Sequence, residues 1–285
     1  MLGAERQLSA GDLQAVFVPW RGMIGVSLRY QGVELLRRLE NLDAAAEKGS
    51  TAGIPLLYPW ANRLSQPGYE ACGRKVSLDV KSPLLHGDEK GLPIHGIKWS
   101  ALHWNEISYE PTRLVARLDW NRTEWLSIFP FNHAVEMTVS LAPEGLTIET
   151  TVLAGELMPV SFGFHPYFGL PNTPRAKWRL KLPKMVKFPT AENLPQNDIV
   201  LGDSHFDDGF KFLESQPEFS LSDGERQITV QFLKNFPYTQ IYAPKDKDFI
   251  AIEPMTASTA ALNRGNYSVL RSGDAFQTRF QIRVK

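Results

Sequence analysis

The chain has 285 residues, 43% of them hydrophobic, and its 31 basic residues balance 31 acidic ones. This composition predicts a chain that buries a sizeable core and excludes an intrinsically disordered protein. The zero net charge gives no overall bias toward nucleic acid or a membrane surface, so neither is an expected partner.

Signals for targeting and for disulfide or thiol chemistry are few. Residues 1–15 carry charges and no apolar core of a signal peptide, and no apolar stretch approaches the ~20 residues that span a bilayer. The single cysteine, Cys72, has no partner for an intramolecular disulfide and no companion thiols for a cysteine-based zinc site. We therefore expect a cytoplasmic protein, either a monomer or a homodimer.

The predicted elements begin with a short helix in residues 34–48, which Gly49 and Pro55 would end. Apolar and polar residues then alternate in four later stretches, as half-buried β-strands require. These stretches are residues 114–120, 135–141, 146–152 and 276–284. Pro143 and Gly145 predict the turn of a hairpin that joins the second and third of these strands.

This pattern predicts an all-β fold. Many strands with long irregular connections are typical of an antiparallel sandwich or barrel. The sequence contains neither a glycine-rich phosphate-binding motif nor an alternating strand–helix–strand pattern, which disfavours a nucleotide-binding α/β fold. Since neither a repeat nor a linker is evident, residues 1–285 are expected to form a single domain.

Four segments place polar residues among aromatic residues, glycine and proline. In residues 54–64, Asn62 and Arg63 could present hydrogen-bond donors to a cleft, although a surface arginine is the plainer interpretation. In residues 92–99, His95 precedes Gly96, which permits close backbone approach. Trp99 or Trp104 could form the floor of a sugar site. A structural histidine is the alternative for His95.

The other two segments contain His165 and Glu253. His165 lies amid four aromatic residues, and apolar surroundings of this kind shift pKa values. Glu253 follows four apolar residues, and a buried carboxylate there is costly unless another group pairs with it. Glu253 is therefore a candidate general base, or equally a strand-end glutamate held by backbone amides.

Taken together, these residues resemble a known family. Four fragments occur in the order and approximate spacing of the aldose 1-epimerase family: Asn62-Arg63, His95-Gly96, His165-Pro166-Tyr167-Phe168 and Glu253-Pro254. The resemblance extends nearly from end to end. It implies a galactose mutarotase-like β-supersandwich with an open cleft on one sheet.

The resemblance also implies an activity and roles for individual residues. A member would be an aldose 1-epimerase (mutarotase), which interconverts α and β anomers of a hexose with His165 as general acid and Glu253 as general base. A carboxylate near His165 would raise its pKa and keep the imidazole charged. The partner would be a small-molecule sugar, and no cofactor or metal would be needed.

The same resemblance assigns the sugar-binding residues. His95 and Arg63 would contact sugar oxygens, with Asn62 supporting them. The sugar-binding aspartate of the family falls on Asp207, with Asp208 as the alternative.

The substrate stays open at this point. Ile97 follows Gly96 where larger members of the family have a second glycine. Residues 53–55 are similar to the hexose-6-phosphate mutarotase branch, whereas Asn62-Arg63 is similar to the branch that uses unphosphorylated sugars. A phosphate would require extra cations, for which the sequence offers Arg74, Lys98 and Arg122.

Two further functions compete with a mutarotase. One is a non-catalytic sugar-binding protein on the same scaffold, although binding alone requires neither His165 nor Glu253. The other is a glycoside hydrolase or lyase, because hydrolysis uses two carboxylates that flank the scissile bond. Glu253 and Asp207 could supply them.

Overall fold

A computed structural model describes residues 4–192 and 197–285, and β-strands dominate it. In chain order the strands are β1 (Arg6–Ala10), β2 (Leu13–Val18), β3 (Ile24–Tyr30), β4 (Val33–Glu34), β5 (Leu56–Leu57), β6 (Gly68–Ala71), β7 (Arg74–Ser77), β8 (Leu85–Gly87), β9 (Pro93–Ile97), β10 (Asn105–Glu110), β11 (Arg113–Trp120), β12 (His133–Ala142), β13 (Gly145–Ala154), β14 (Met158–Val160), β15 (Gly163–Phe164), β16 (Tyr167–Phe168), β17 (Arg179–Lys181), β18 (Met185–Lys187), β19 (Asp198–Val200), β20 (Phe206–Phe212), β21 (Glu218–Ser222), β22 (Gln227–Lys234), β23 (Tyr238–Ala243), β24 (Ile250–Met255), β25 (Ser268–Leu270) and β26 (Ala275–Val284). The helices are α1 (Leu42–Lys48), α2 (Thr123–Leu126) and α3 (Ala261–Arg264), with short 3-10 turns at Trp99–Ala101 and Arg175–Lys177.

Two large antiparallel sheets form the body of the fold. Nine strands are ordered β10-β11-β12-β13-β26-β22-β21-β17-β19. The second sheet is ordered β18-β20-β23-β24-β15-β5, and β16 also pairs with β24 as its seventh strand. Strands β1 to β4 form a four-stranded sheet, and the remaining strands of the described residues form three two-stranded ladders. The expected all-β architecture is confirmed.

The elements predicted from the sequence are also found. The four alternating stretches correspond to β11, β12, β13 and β26, which are neighbours in the nine-stranded sheet. The hairpin between β12 and β13 closes where Ala142 pairs with Gly145. The predicted helix is α1: the side chain of Asn41 caps its first turn, and Gly49 ends it in the left-handed conformation.

The core lies between the two large sheets. Phe164 on β15 and Phe280 on β26 have ring centroids 5.1 Å apart, so the seven-stranded sheet packs directly on the nine-stranded one. Ile241 and Ile252 pair across β23 and β24 and are fully buried in this core. Because side chains alternate along a strand, their neighbours in sequence lie on the opposite face of the sheet.

One polar group is enclosed in an aromatic cluster of the core. The imidazole of His133, on β12, lies 2.5 Å from the Tyr58 hydroxyl through Nε2 and 2.6 Å from the Phe131 carbonyl through Nδ1. Trp120 stacks on it with a centroid distance of 5.3 Å. Burial lowers the pKa of His133 to about 4, so the imidazole is neutral near pH 7.

The described part of the chain contains no helix with the length and apolar composition needed to cross a bilayer.

Candidate functional site

A cavity of about 450 Å³ opens over the face of the seven-stranded sheet that is turned away from the core. It brings together all six residues that the sequence predicts for the site: Asn62, Arg63, His95, His165, Asp207 and Glu253. They come from widely separated parts of the chain, so the tertiary fold alone unites them.

The strand register explains how the floor of the cavity is built. Glu253 on β24 pairs with Gln240 on β23, and Gln240 pairs with Gly209 on β20. Paired residues in an antiparallel ladder lie on the same face. A Cβ at position 209 would lie 3.2 Å from Oε1 of Gln240, so glycine leaves room for that side chain.

The same register distinguishes the two candidate aspartates. Asp207 pairs with Tyr242, two positions from Gly209, and lies on the cavity face. Asp208 pairs with Ile241 on the other face, where its carboxylate lies 2.6 Å from Nζ of Lys187. Of the two, Asp207 therefore lines the cavity.

His165 and Glu253 form the most buried polar pair at the cavity. Nε2 of His165 lies 3.1 Å from Oε1 of Glu253, and the two residues are 5% and 1% exposed. Nδ1 of His165 and Oε2 of Glu253 are buried and have no hydrogen-bond partner among the described residues. Burying unpaired polar atoms costs free energy, and such atoms in a cavity are typical of a site that a ligand completes.

Burial disfavours charge on both members of this pair. It raises the pKa of Glu253 well above its usual value, an effect that the negative charge of Asp207 increases and Arg63 opposes. Burial also lowers the pKa of His165 well below its usual value, reinforced by His95. The expectation that the nearby carboxylate raises the pKa of His165 is therefore wrong, because loss of hydration dominates.

His95 is held as a neutral hydrogen-bond donor. Its ring Nδ1 accepts from the backbone N–H of Asn62 at 3.2 Å, and the backbone N–H of His95 donates to the Asn62 carbonyl at 2.9 Å. Burial lowers the pKa of His95 to about 3. With Nδ1 accepting, the proton of the neutral ring is on Nε2, which can donate.

The loop geometry around His95 is tightly constrained. Asn62 and His95 both adopt positive φ, at 57° and 64°, a conformation that costs free energy for residues other than glycine. Gly96 follows with φ 68°, and a Cβ there would overlap the Tyr58 backbone. Backbone strain of this kind clusters at functional sites.

Arg63 lies at the rim of the cavity with about 43% of its side chain exposed. Its Nε lies 3.9 Å from Oδ2 of Asp88, whose side chain is only 6% exposed. The other oxygen of Asp88 accepts from the backbone N–H groups of Lys90 and Leu92, each at 2.9 Å. The turn after β8 therefore presents a fixed carboxylate that orients Arg63.

A chain of hydrogen bonds crosses the cavity floor. Nε2 of Gln240 donates to Oδ1 of Asp207 at 2.7 Å, and Oε1 of Gln240 accepts from the amide of Asn62 at 3.2 Å. The side-chain oxygen of Asn62 in turn accepts from the backbone N–H of Arg63 at 2.8 Å. Asn62, predicted as a supporting residue, thus joins Asp207 to the loop of Arg63 through Gln240.

Several lining residues were given no role in the site by the sequence interpretation. Asp88, Gln240, Tyr242, Tyr167 and Thr51 all line the cavity. The alternation of Gln240 and Tyr242 in a strand was a usable signal, because it places two polar-tipped residues on one face. Asp88 offered only a turn-like sequence, since its role depends on contacts with a distant loop.

The tryptophans proposed for a sugar floor are placed elsewhere. Trp104 is buried in the main core, and Trp99 is buried with its Nε1 donating to the Ser50 carbonyl at 3.0 Å. Neither lines this cavity. Among the described residues, the tyrosines that line the cavity are Tyr167 and Tyr242.

The cations proposed for a phosphate are also displaced from this cavity. Arg74 pairs with Glu156 and contacts the Phe131 ring, and Arg122 lies over Trp125. Lys98 lines a smaller neighbouring pocket, where Nζ donates to the Glu47 carbonyl at 3.3 Å.

Comparison with known proteins supports the same family assignment. The model of the family described as aldose 1-epimerase matches residues 7–283. The fold is similar to that of a galactose mutarotase-like protein from Clostridium acetobutylicum, at 19% identity and TM-score 0.81 over 98% of this chain and 94% of that one. It is also similar to a GalM/aldose epimerase homologue from C. elegans, at 14% identity and TM-score 0.80 over 99% and 98% of the two chains.

A galactose 1-epimerase from Lactobacillus acidophilus is similar in fold as well, at 13% identity and TM-score 0.72 over 97% of this chain and 92% of that one. A comparison with curated protein sequences finds no significant match. The structural neighbours confirm the expected galactose mutarotase-like all-β fold.

Proposed function

Because the chain belongs to the aldose 1-epimerase family, we propose that it is a mutarotase that interconverts the α and β anomers of a hexose. The observation that carries the proposal is the buried pair at the cavity, with Nε2 of His165 3.1 Å from Oε1 of Glu253. Ring opening needs an acid and a base that act on two oxygens of one carbon, so both groups must lie close together.

Protons balance over the reaction. The base removes the proton of the C1 hydroxyl while the acid protonates the ring oxygen, which gives the open-chain aldehyde. After rotation about the C1–C2 bond, the two proton transfers run in reverse and close the other anomer. The enzyme pair therefore starts and ends with the same single proton.

The pKa directions fit such a one-proton pair. With Glu253 as base and His165 as acid, the closed sugar meets a carboxylate and an imidazolium, and the open-chain sugar leaves a carboxylic acid and a neutral imidazole. Burial favours the second, uncharged form. Both forms belong to the cycle, and a bound sugar with its hydroxyl groups would offset part of the cost of the charged one.

Sugar-binding groups are available around the pair. His95 offers a neutral N–H donor, Arg63 offers a permanent cation, and Asp207 offers an acceptor oriented by Gln240. The rings of Tyr167 and Tyr242 would pack against the C–H surface of the sugar. These roles would orient the anomeric carbon toward His165 and Glu253.

The charge of the lining favours an uncharged hexose over a hexose 6-phosphate. Its carboxylates belong to Asp88, Glu89, Asp207 and Glu253, and its permanent cations to Arg63 and Lys90. Arg63 is already paired with Asp88. A dianionic phosphate would meet more acidic than basic groups at this site.

The test is a panel of sugars followed by polarimetry and by NMR exchange between anomers. We expect faster mutarotation of fresh α-D-glucose or α-D-galactose than in buffer, and a smaller effect on glucose 6-phosphate. A rate equal to that of buffer for every sugar would contradict the proposal. A clear preference for the phosphorylated sugar would select the hexose-6-phosphate alternative.

Two further outcomes test the remaining alternatives. Sugar binding seen by NMR without faster exchange would select a non-catalytic binding protein. Release of reducing ends from a glycoside would select a hydrolase that uses Glu253 and Asp207. Neither is the expected result.

A further inference from the structure

Arg175 is a buried cation that does not line the cavity and has no role in the chemistry described above. It begins the 3-10 turn Arg175–Lys177, and only 7% of it is exposed. Its side chain donates five hydrogen bonds of 2.6 to 3.4 Å, and every acceptor is a backbone carbonyl. These carbonyls belong to Gly202, Ser204, Ala243, Lys247 and Phe249. Burying a charge is costly, and these carbonyl dipoles offset the cost.

The backbone of Arg175 is fixed as well. Its carbonyl accepts from the N–H of Trp178 at 3.0 Å and from the N–H of Gly202 at 3.3 Å. Burial lowers the pKa of Arg175, and the charges of Asp248 and Asp203 oppose this effect. A guanidinium retains its charge near neutral pH. The turn therefore presents a planar set of charged donors in a fixed place.

The five carbonyls lie at one end of the seven-stranded sheet. Gly202 and Ser204 precede β20, Ala243 is the last residue of β23, and Lys247 and Phe249 precede β24. These three strands are neighbours in the sheet and form the floor of the cavity. One guanidinium therefore joins the ends of all three strands.

Two residues of the cavity, Asp207 and Tyr242, lie close to this end. They pair with each other, and only the pair of Phe206 with Ala243 follows before the two strands separate. The ends of strands open more easily than their centres. The hydrogen bond from Arg175 to the Ala243 carbonyl holds this end of the ladder closed.

Phe249 connects Arg175 to the aromatic wall of the cavity. Its carbonyl accepts from the guanidinium at 3.1 Å. Its ring centroid lies 5.4 Å from that of Tyr167 and 6.0 Å from that of Tyr242, and both tyrosines line the cavity. Arg175 therefore also fixes the backbone behind these two rings.

We propose that Arg175 is a positioning residue that holds Asp207 and Tyr242 in place for sugar binding by joining the ends of β20, β23 and β24. This role rests on the proposed function for its effect on the sugar. Glu253 lies two ladder pairs further from this end than the partner of Tyr242. The acid–base pair should therefore depend less on Arg175 than the sugar contacts do.

The first experiment is Arg175→Lys, which keeps the charge and removes the planar set of donors. We expect KM to rise about tenfold and kcat to change by less than about twofold, because a weakened sugar contact affects the bound sugar and the transition state equally. Rates of anomer exchange at several sugar concentrations measure both constants. An unchanged KM, or a kcat that falls as far as KM rises, would overturn the proposal.

Arg175→Gln provides a second variant should the lysine variant fail to fold. It keeps two N–H donors and buries no charge. The same rise in KM with little change in kcat is expected. A wild-type KM in this variant would likewise contradict the proposal.

The matched control is Arg74→Lys. Arg74 also donates to a backbone carbonyl, that of Pro130, but it lies outside the cavity and its neighbouring strands. We expect the wild-type KM and kcat in this variant. An equal rise in KM in both variants would show a general effect of replacing arginine and would overturn the specific role of Arg175.

A double variant tests whether Arg175 acts through Asp207. Combining Arg175→Lys with Asp207→Asn should raise KM by clearly less than the product of the two single effects, because both changes weaken the same contact. A fully multiplicative rise would contradict this linkage.

A measurement without sugar separates this inference from the proposed function. Nε2 of Gln240 donates to Asp207 at 2.7 Å, so the NMR signal of this side-chain amide reports on the placement of Asp207. Arg175→Lys should shift that signal and speed backbone hydrogen exchange in residues 203–208 and 241–250 by about tenfold. Exchange in the hairpin of β12 and β13 should keep its wild-type rate.

The outcomes of this measurement are distinct. An unaltered Gln240 signal, or exchange that accelerates equally in the β12–β13 hairpin, would refute the role of Arg175 and leave the proposed function untouched. The expected changes in a protein that does not accelerate mutarotation would support the positioning role and refute the proposed function.

Discussion

Two buried histidines, in two regions of this protein, show that the same type of residue can have different roles. His133 lies in the aromatic cluster of the core, and His165 lies at the cavity of the seven-stranded sheet. Each lies beside a tyrosine hydroxyl and a stacked aromatic ring, and burial lowers the pKa of each. Burial and aromatic contact alone therefore do not distinguish a structural histidine from a reactive one.

The difference lies in which ring nitrogens are satisfied. Both nitrogens of His133 have partners, Tyr58 and the Phe131 carbonyl. Nδ1 of His165 has none among the described residues, and its Nε2 lies 3.1 Å from a buried carboxylate. A completed hydrogen-bond set stabilises the fold, whereas an incomplete one beside Glu253 leaves capacity for a ligand and for proton exchange.

The largest contrast is expected in activity. His165→Asn and Glu253→Gln should each lower anomer exchange by about 10² to 10⁴-fold, the usual contribution of a positioned acid or base. His133→Asn should leave the rate within about threefold at a temperature where it is folded. NMR exchange spectroscopy on the three variants measures this. Full activity in either cavity variant would remove that residue from the proposed pair.

The next contrast concerns stability and pH. Burial lowers the pKa of His133 to about 4, so between that value and its ordinary pKa the folded chain binds fewer protons than the unfolded one. The contribution of neutral His133 to the free energy of unfolding is fully present at neutral pH. It is lost as the pH falls toward 4, and the loss is on the order of 3 kcal/mol for this histidine.

Urea unfolding between pH 7.5 and 4.5 tests this sign. His133→Asn should flatten the acid-induced loss of unfolding free energy. The exposed His205 supplies the control, because His205→Asn should retain the wild-type slope. If His133→Asn shows the wild-type slope, the histidine does not titrate abnormally in the folded state.

A smaller contrast is expected in stability at pH 7. His133→Asn leaves the Tyr58 hydroxyl or the Phe131 carbonyl without its partner and should lower the unfolding free energy by about 1–3 kcal/mol. His165→Asn removes a ring whose Nδ1 was unpaired and should change the unfolding free energy by about 1 kcal/mol or less. Thermal and urea denaturation compare the two. A larger loss for His165→Asn would show that the site is also a structural centre.

The smallest difference is expected between Asp207 and Asp208, two neighbouring aspartates on β20. Asp207→Asn should raise KM about tenfold, because the acceptor held by Gln240 loses its charge. Asp208→Asn removes a partly exposed ion pair with Lys187 and should change stability by about 0.5 kcal/mol or less with no change in KM. Equal kinetics for the two variants would contradict the assignment of Asp207 to the sugar.

The sequence predicted those features that depend on local periodicity or on a resemblance. Strands β11, β12, β13 and β26 follow from alternation within the strand, and the end of helix α1 follows from Gly49, whereas its start at Leu42 was not predicted. Asp207 and Asp208 could not be separated in that way, because the choice depends on how β20 pairs with β23. Strand register is a property of two segments, so one segment alone does not determine it.

The candidate site shows the same limit. All six predicted residues line the cavity, although their roles in sugar binding and catalysis stay predictions. Asp88 was missed because its contact is made across loops, and the pKa of His165 was predicted in the wrong direction. A neighbouring carboxylate can be inferred from a resemblance, but the extent of burial that outweighs it depends on the packing of distant strands.

The hydrogen bond between Asn62 and Gln240 joins residues 178 positions apart in the chain, and it has a consequence for folding. Closing so long a loop delays contact formation relative to the local hairpin of β12 and β13. Secondary structure should therefore return before the cavity in a refolding experiment. During synthesis, β24 must also leave the ribosome before the His165–Glu253 pair can form. Nascent chains that end before Glu253 would therefore contain sheet structure but lack this pair.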